Sequence, residues 1–115
     1  MTTVKELIAD GKGKPLLLTA ASVNAATMIV REAVWKMGTD VEIIDLEFMD
    51  PATVESSIDA LGTSIGMIIE AKRADKATQE KLAEVMKHPE RTIVVAECSV
   101  PKHLDPKMFA HWAKF

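Results

Sequence analysis

The chain has 115 residues, of which 48% are hydrophobic and 27% charged, a composition typical of one globular domain spanning 1–115. Its formal net charge of −3 argues against nucleic-acid binding, and no apolar run is long enough to span a membrane. The single cysteine, Cys98, excludes an intramolecular disulfide and favours a reducing compartment. Because the N-terminus also lacks a secretion signal, we predict a cytoplasmic protein without nucleic-acid or membrane partners.

An apolar strand that leads into a small-residue turn opens the regular part of the chain. Residues 4–9 predict a short helix, and the two glycines and the proline within residues 10–15 predict a loop. Residues 16–19 then form a wholly apolar run that ends in threonine, which is typical of a strand buried on both faces of a parallel sheet.

The helix that follows has the clearest periodicity in the chain. Ser22 or Asn24 is placed to cap its beginning, and Gly38 is placed to end it. Its apolar residues recur at helical spacing on one face: Ala26, Ile29, Val30, Ala33, Val34 and Met37.

Strands and helices alternate through the second part of the chain. Three strands are predicted at residues 41–44, 65–69 and 92–96. Two helices lie between them, one that starts at Asp50-Pro51 and closes at Gly62, and one that Asp75 caps and His88-Pro89 stops near residue 87.

The last predicted element is a helix that begins at Asp105-Pro106 and carries Trp112 and Phe115. Strict alternation of strand and helix predicts an α/β fold, a three-layer sandwich with a four-stranded parallel sheet and helices on both faces. In such sheets the functional crevice lies beyond the carboxyl ends of the strands.

Residues 20–27, Ala-Ala-Ser-Val-Asn-Ala-Ala-Thr, have the frame of the Walker A motif G-x-x-x-x-G-K-T and resemble an AAA+ ATPase core of the P-loop type. In this frame Ala20 and Ala25 replace the glycines, and Ala26 replaces the lysine. Thr27 stands at the position of the magnesium-binding hydroxyl. The turn therefore resembles a phosphate loop that has lost the residues that hold phosphate.

Two later segments extend the resemblance. Residues 67–71 resemble a Walker B strand in which Glu70 is the first acidic residue and Ala71 replaces the catalytic glutamate. Residues 92–96, followed by Leu104-Asp105-Pro106, resemble the next strand and the segment toward the arginine finger, but no arginine follows.

The resemblance implies the strand order 1-4-3-2 and a vestigial nucleotide site. The positions of that site are Ala20, Asn24, Ala25, Ala26, Thr27 and Glu70. Because the lysine and the second carboxylate are missing together, we expect no ATP hydrolysis and no bound cofactor. The predicted function is an inactive domain that acts through protein contacts or as an assembly subunit, and weak binding of ATP and magnesium is the alternative.

A receiver-like regulatory module is a second alternative, because residues 16–38 also resemble the first strand and helix of a response-regulator receiver. Glu70 would then replace the phosphorylatable aspartate, and the first strand would lie between the second and the third. Both resemblances leave out the family's fifth strand, which we do not expect in this chain.

The remaining reactive side chains predict no further site. Cys98 is expected to be a buried or partly buried inert thiol that does not face His103, and the histidines lack metal-ligand spacing, so no metal is predicted. Glu70 is expected to pair with Lys72 or Arg73. The large aromatic residues outside the core face are candidates for a protein interface: Trp35, Trp112 and Phe115.

Overall fold

A computed structural model of the protein describes residues 4–10, 15–87 and 91–115. Its helices are α1 (Val4–Asp10), α2 (Val23–Met37), α3 (Pro51–Asp59) and α4 (Lys76–Val85). Its strands are β1 (Leu16–Thr19), β2 (Val41–Asp45), β3 (Ile65–Ile69), β4 (Thr92–Glu97) and β5 (His111–Lys114). Short 3₁₀ turns follow β2 at Leu46–Phe48 and β3 at Ala71–Arg73, and a third precedes β5 at Pro106–Met108.

All five strands lie in one parallel sheet with the order β2-β3-β4-β1-β5. The first four strands therefore have the predicted order 1-4-3-2, and the α/β sandwich with helices on both faces is confirmed. The receiver order is excluded, because β1 lies between β4 and β5 and does not touch β2 or β3 in the sheet.

The prediction of four strands and a terminal helix is wrong. Asp105 and Pro106 begin only a 3₁₀ turn, and β5 follows beside the free edge of β1. Hydrogen bonds from Ala110 N–H to the Pro15 carbonyl (2.9 Å) and from Phe115 N–H to the Thr19 carbonyl (2.8 Å) flank the new strand. These long-range bonds satisfy the edge of β1, which a local helix would have left open.

Each face of the sheet has its own helical layer. On one face, Ile8 of α1 and Val30 and Val34 of α2 pack against Leu16 and Leu18 of β1. The other face is covered by α3 and α4, through buried residues that include Val54, Ile58, Leu82 and Met86. Strand β1 is buried along its whole length, as its apolar sequence predicts for a central parallel strand.

Local capping signals fix most helix boundaries. The Ser22 side chain caps α2, and Gly38 ends it in the left-handed conformation at φ 70°. Asp50 and Asp75 cap α3 and α4 as predicted.

Other predicted boundaries differ from the structure or cannot be compared with it. Helix α3 already ends at Asp59, and Gly62 lies in the following turn at φ 59°. The predicted loop residues 11–14 and the predicted stop at residues 88–89 lie outside the described residues. No helix in the described part of the chain is long and apolar enough to cross a membrane.

Candidate functional site

The carboxyl ends of β4, β1 and β5 bring three polar side chains into one row. Thr19 is in register with Glu97 on one side and with Lys114 on the other. Register neighbours in a sheet point to the same face, so all three lie on the face that α3 and α4 cover. This row and the adjoining turns lie beyond the carboxyl ends of the strands, where α/β sheets carry their functional sites.

The turn between β1 and α2 is closed rather than cradle-shaped. Only residues 20–22 connect the strand to the helix, and Ser22 Oγ accepts the Ala25 N–H at 3.1 Å. The Ala20 N–H donates to the Glu97 carbonyl, and the Ala26 N–H donates to the Ser22 carbonyl, each at 3.1 Å. Three amide groups of the Walker A frame are therefore already occupied by the protein itself.

Backbone angles point the same way. Among the described residues, positive φ occurs only at Glu70, Gly38 and Gly62, and none of these lies in the β1–α2 turn. A phosphate-binding nest alternates right- and left-handed residues so that successive N–H groups converge. The turn at residues 20–22 has no such alternation.

Three side chains of the Walker A frame are buried or bonded within the protein. Ala26, at the lysine position, is fully buried against the core, and Ala20 is buried as well. Thr27 Oγ1 donates to the Val23 carbonyl one helical turn back, at 2.8 Å. Asn24 is exposed in the first turn of α2, and Ala25 is half-buried. The sheet brings this set to one turn, but Glu70 lies beyond β4, two strands away from β1.

Glu70 is held in a left-handed conformation at φ 57° and ψ 28° immediately after β3. Its Oε2 pairs with Arg73 Nε at 3.0 Å, as the sequence predicts, and Arg73 Nη1 also binds Glu47 Oε1 at 3.0 Å. The hydrogen bond that Arg73 donates to Glu47 and the negative charges of Glu47 and Glu70 raise the pKa of Arg73. An arginine cation therefore lies between carboxylates at the Walker B position.

Glu97 is the site residue that sequence reasoning missed. It is 2% exposed, and its carboxylate accepts the N–H of Cys98 at 3.0 Å and the N–H of Lys72 at 3.3 Å. The side chain thus joins the end of β4 to the turn after Glu70. The available signal is a glutamate that directly follows the buried apolar run of residues 93–96.

The cysteine environment differs from the prediction. Cys98 is exposed rather than buried, and Lys72 Nζ lies 3.8 Å from its sulfur. The His103 backbone N–H donates to Gln79 Oε1 at 3.0 Å, which fixes that loop against α4. Within the described residues no group of three histidine, cysteine or acidic side chains could hold a metal ion.

The three aromatic interface candidates are all accessible, but in two places. Trp35 is 80% exposed on the outer side of α2. Trp112, which the sequence placed on a helix, lies in β5, where its Nε1 donates to Thr19 Oγ1 at 2.9 Å. Lys114 Nζ lies 4.0 Å from the centre of the Trp112 ring, and Phe115 follows with 63% exposure.

Comparison with known proteins identifies the fold. No protein-family model matches the chain, and a search of curated proteins finds no significant match. The structure is similar to the RuvB Holliday junction branch migration motor of Thermotoga maritima, with a TM-score of 0.70 and 16% sequence identity over 97% of this chain. A variant of the same motor gives a TM-score of 0.69 at the same identity and coverage.

At 16% identity the likeness to RuvB shows a shared fold. The matched region is 44% of the RuvB chain, so this chain spans less than half of that motor's length.

Proposed function

We propose that this chain is an AAA+-like domain that does not hydrolyse ATP and that acts through protein contacts, as a subunit of an assembly. The observation that carries the proposal is the closed β1–α2 turn, in which the Ser22 cap and the Ala20 ladder bond occupy the amides of a phosphate loop. A nucleotide that used these two amides would have to break their bonds first.

The β3 side of the site supports the same proposal. In the resemblance, the first acidic residue would hold magnesium, but Glu70 is paired with Arg73. The next residue, Ala71, is fully buried and carries no carboxylate to orient a water molecule. A phosphoryl-transfer site depends on the metal, the lysine and the base together, so these changes act on one unit.

The accessible aromatic side chains support the second half of the proposal. Exposed tryptophan and phenylalanine are enriched where proteins meet, and here Trp112 lies in the outer strand β5 and Phe115 follows it. Self-association or a protein partner is therefore the proposed mode of action. A cytoplasmic location is part of the proposal, supported by the exposed thiol of Cys98, which persists in reducing compartments.

The decisive experiment is calorimetric titration of the full chain with ATP and magnesium, together with a phosphate-release assay. We expect no saturable heat and no phosphate above the background without protein. Saturable binding that Glu70→Ala weakens and that Glu80→Ala, on the exposed side of α4, leaves unchanged would overturn the proposal in favour of a nucleotide-binding domain. Sedimentation of the same sample measures self-association independently of nucleotide.

A further inference from the structure

The two outer strands of the sheet, β2 and β5, each have one open side. Within the described residues β2 pairs only with β3, and β5 pairs only with β1. An open strand edge presents unpaired N–H and C=O groups, and such groups can accept a strand from another molecule. The two edges lie on opposite sides of the molecule.

The hydrogen bonds of the sheet show which backbone groups point outward. The Phe115 N–H bonds to Thr19 of β1, and alternate residues of a strand face the same neighbour, so Lys114 directs its N–H and C=O away from β1. By the same reasoning the Asp40 carbonyl bonds to Ile65 of β3, so Val41 and Ile43 direct theirs outward. Each edge therefore has backbone groups that are free to bond in parallel register.

The side chains of the two edges are complementary. Strand β5 carries exposed Lys114, followed by exposed Phe115. Strand β2 carries exposed Glu42, followed by Ile43, which is 43% exposed. On each edge a charged residue is followed by an apolar one, and the two charges have opposite signs.

We propose that β5 of one copy pairs in parallel with β2 of a second copy, with Lys114 opposite Glu42. This inference rests on the proposed assembly role and names its partner and surface. The Lys114 N–H would bond to the Val41 carbonyl, and the Lys114 carbonyl would accept the Ile43 N–H. Phe115 then lies opposite Ile43.

The faces of the sheet agree with this register. Lys114 is in register with Thr19, and Glu42 is in register with Gly66, whose close neighbours Leu61 and Ile93 lie in the core under α3 and α4. Both charged side chains therefore point to the α3–α4 face. The sheet would continue from one copy to the next without turning over.

A groove beside β2 provides additional contact surface on that face. It has a volume of about 240 Å³ and is lined in part by Glu42, Ile44, Met49 and Leu61. The aliphatic stem of the neighbour's Lys114 would lie against this groove while its ammonium reaches Glu42. The exposed Trp112 of the neighbouring copy would lie beside the same groove.

Because the two edges differ, the contact is head-to-tail, and each copy retains one free edge of each kind. Such heterologous contacts extend into longer assemblies unless the rotation between copies closes a ring. The proposal therefore predicts dimers, trimers and larger species as concentration rises, without a preference for dimers.

Charge reversal tests the pairing by sedimentation of the full chain over a wide concentration range. Glu42→Lys or Lys114→Glu alone should weaken association at least about tenfold, because like charges then face each other. The double variant, or an equimolar mixture of the two single variants, should restore it. Glu80→Lys on the exposed side of α4 is the control and should leave association unchanged.

Oxidative cross-linking tests the register. In a Cys98→Ser background, Ile43→Cys and Phe115→Cys in the same chain should give a ladder of dimers and higher species. An intramolecular bond is excluded, because β2 and β5 are about 19 Å apart across four strand spacings, well beyond disulfide reach. Either cysteine alone should give no ladder and no dimer.

Three results would overturn the edge pairing: a monomeric wild-type chain at every concentration, association that neither charge reversal changes, or dimers from one of the single-cysteine variants. If neither charge reversal changes association and the double-cysteine variant gives no cross-linked ladder, the chain would still have an assembly role, but through another surface. Saturable binding of ATP and magnesium would instead overturn the proposed inactivity, whatever the cross-linking shows.

Discussion

The β1–α2 turn and the β3–α4 loop are the two sides of the candidate site, and they are built in opposite ways. The first is short and relaxed, and its helix starts at a serine cap. The second contains a left-handed glutamate, an arginine between two carboxylates, and a contact to the buried Glu97 carboxylate from the neighbouring strand.

The difference separates local from long-range control. Residues 20–25 would form a capped helix start in many surroundings, because serine, an exposed asparagine and alanines suit the first turn. Glu70 in a left-handed conformation costs about 1–2 kcal/mol and needs contacts from outside its own segment. The Glu97 carboxylate of β4 supplies such a contact through the Lys72 N–H, and the pair with Arg73 adds a local one.

Restoring the lysine of the Walker A frame should have the largest effect on stability, and it changes the β1–α2 side of the site. Ala26 is fully buried, so Ala26→Lys forces a long charged side chain into a packed core and should lower the free energy of unfolding by more than about 4 kcal/mol. Urea unfolding followed by circular dichroism measures the loss. The control is Ala25→Lys at the neighbouring half-buried position, which should cost far less. A stable Ala26→Lys protein that binds ATP would mean that the turn opens into a phosphate loop.

Removing the buried carboxylate of Glu97 would test the β3–α4 side of the site. Glu97→Ala leaves the N–H groups of Cys98 and Lys72 without their acceptor and should lower the free energy of unfolding by about 2–3 kcal/mol. Amide hydrogen exchange at residues 72 and 98 should speed up as well. Glu97→Gln keeps the shape and one acceptor oxygen, so it should fall between the wild type and Glu97→Ala. Equal stability of Glu97→Ala and the wild type would contradict a structural role for this contact.

The strain at Glu70 can be measured by comparing two substitutions that both remove the ion pair with Arg73. Glycine adopts φ 57° without steric cost, whereas alanine does not. Glu70→Gly should therefore be more stable than Glu70→Ala by about 0.5–1 kcal/mol, after the greater freedom of glycine in the unfolded chain is included. The reverse order in urea unfolding would show that the loop relaxes out of the left-handed conformation.

Features that depend on neighbouring residues could be predicted from the sequence. The caps at Ser22, Asp50 and Asp75 and the left-handed end at Gly38 each follow from residues within a few positions. The strand order followed from a resemblance spread over most of the chain, although each motif in it is degenerate.

Features that depend on distant contacts could not be predicted in this way. Strand β5 has four residues, and its pairing with β1 joins positions more than 90 residues apart. The burial of Glu97 and the conformation of Glu70 depend on strands that meet at the carboxyl end of the sheet. Asp105-Pro106 gave a correct start signal for a turn, but that signal does not encode how far the turn continues.

The smallest expected effect concerns pH, and of the two sides of the candidate site only the β3–α4 side should contribute to it. The backbone N–H and the hydroxyl of Thr78 lower the pKa of the Asp75 carboxyl in the folded state, whereas the Ser22 cap of α2 does not titrate. Because the folded pKa is below the unfolded one, this contribution is complete above about pH 4 and is lost as pH falls through the lowered value.

Asp75→Ser keeps a capping oxygen on α4 but removes its charge, so the two helices would then begin alike. We expect the unfolding free energy of this variant to fall less steeply than that of the wild type below about pH 4. Asp50 retains the same kind of lowered pKa at the start of α3, held chiefly by the Thr53 hydroxyl, so part of the slope should remain. Ser22→Ala should shift the whole curve without changing its slope, and equal slopes for the wild type and Asp75→Ser would remove the assigned role of Asp75.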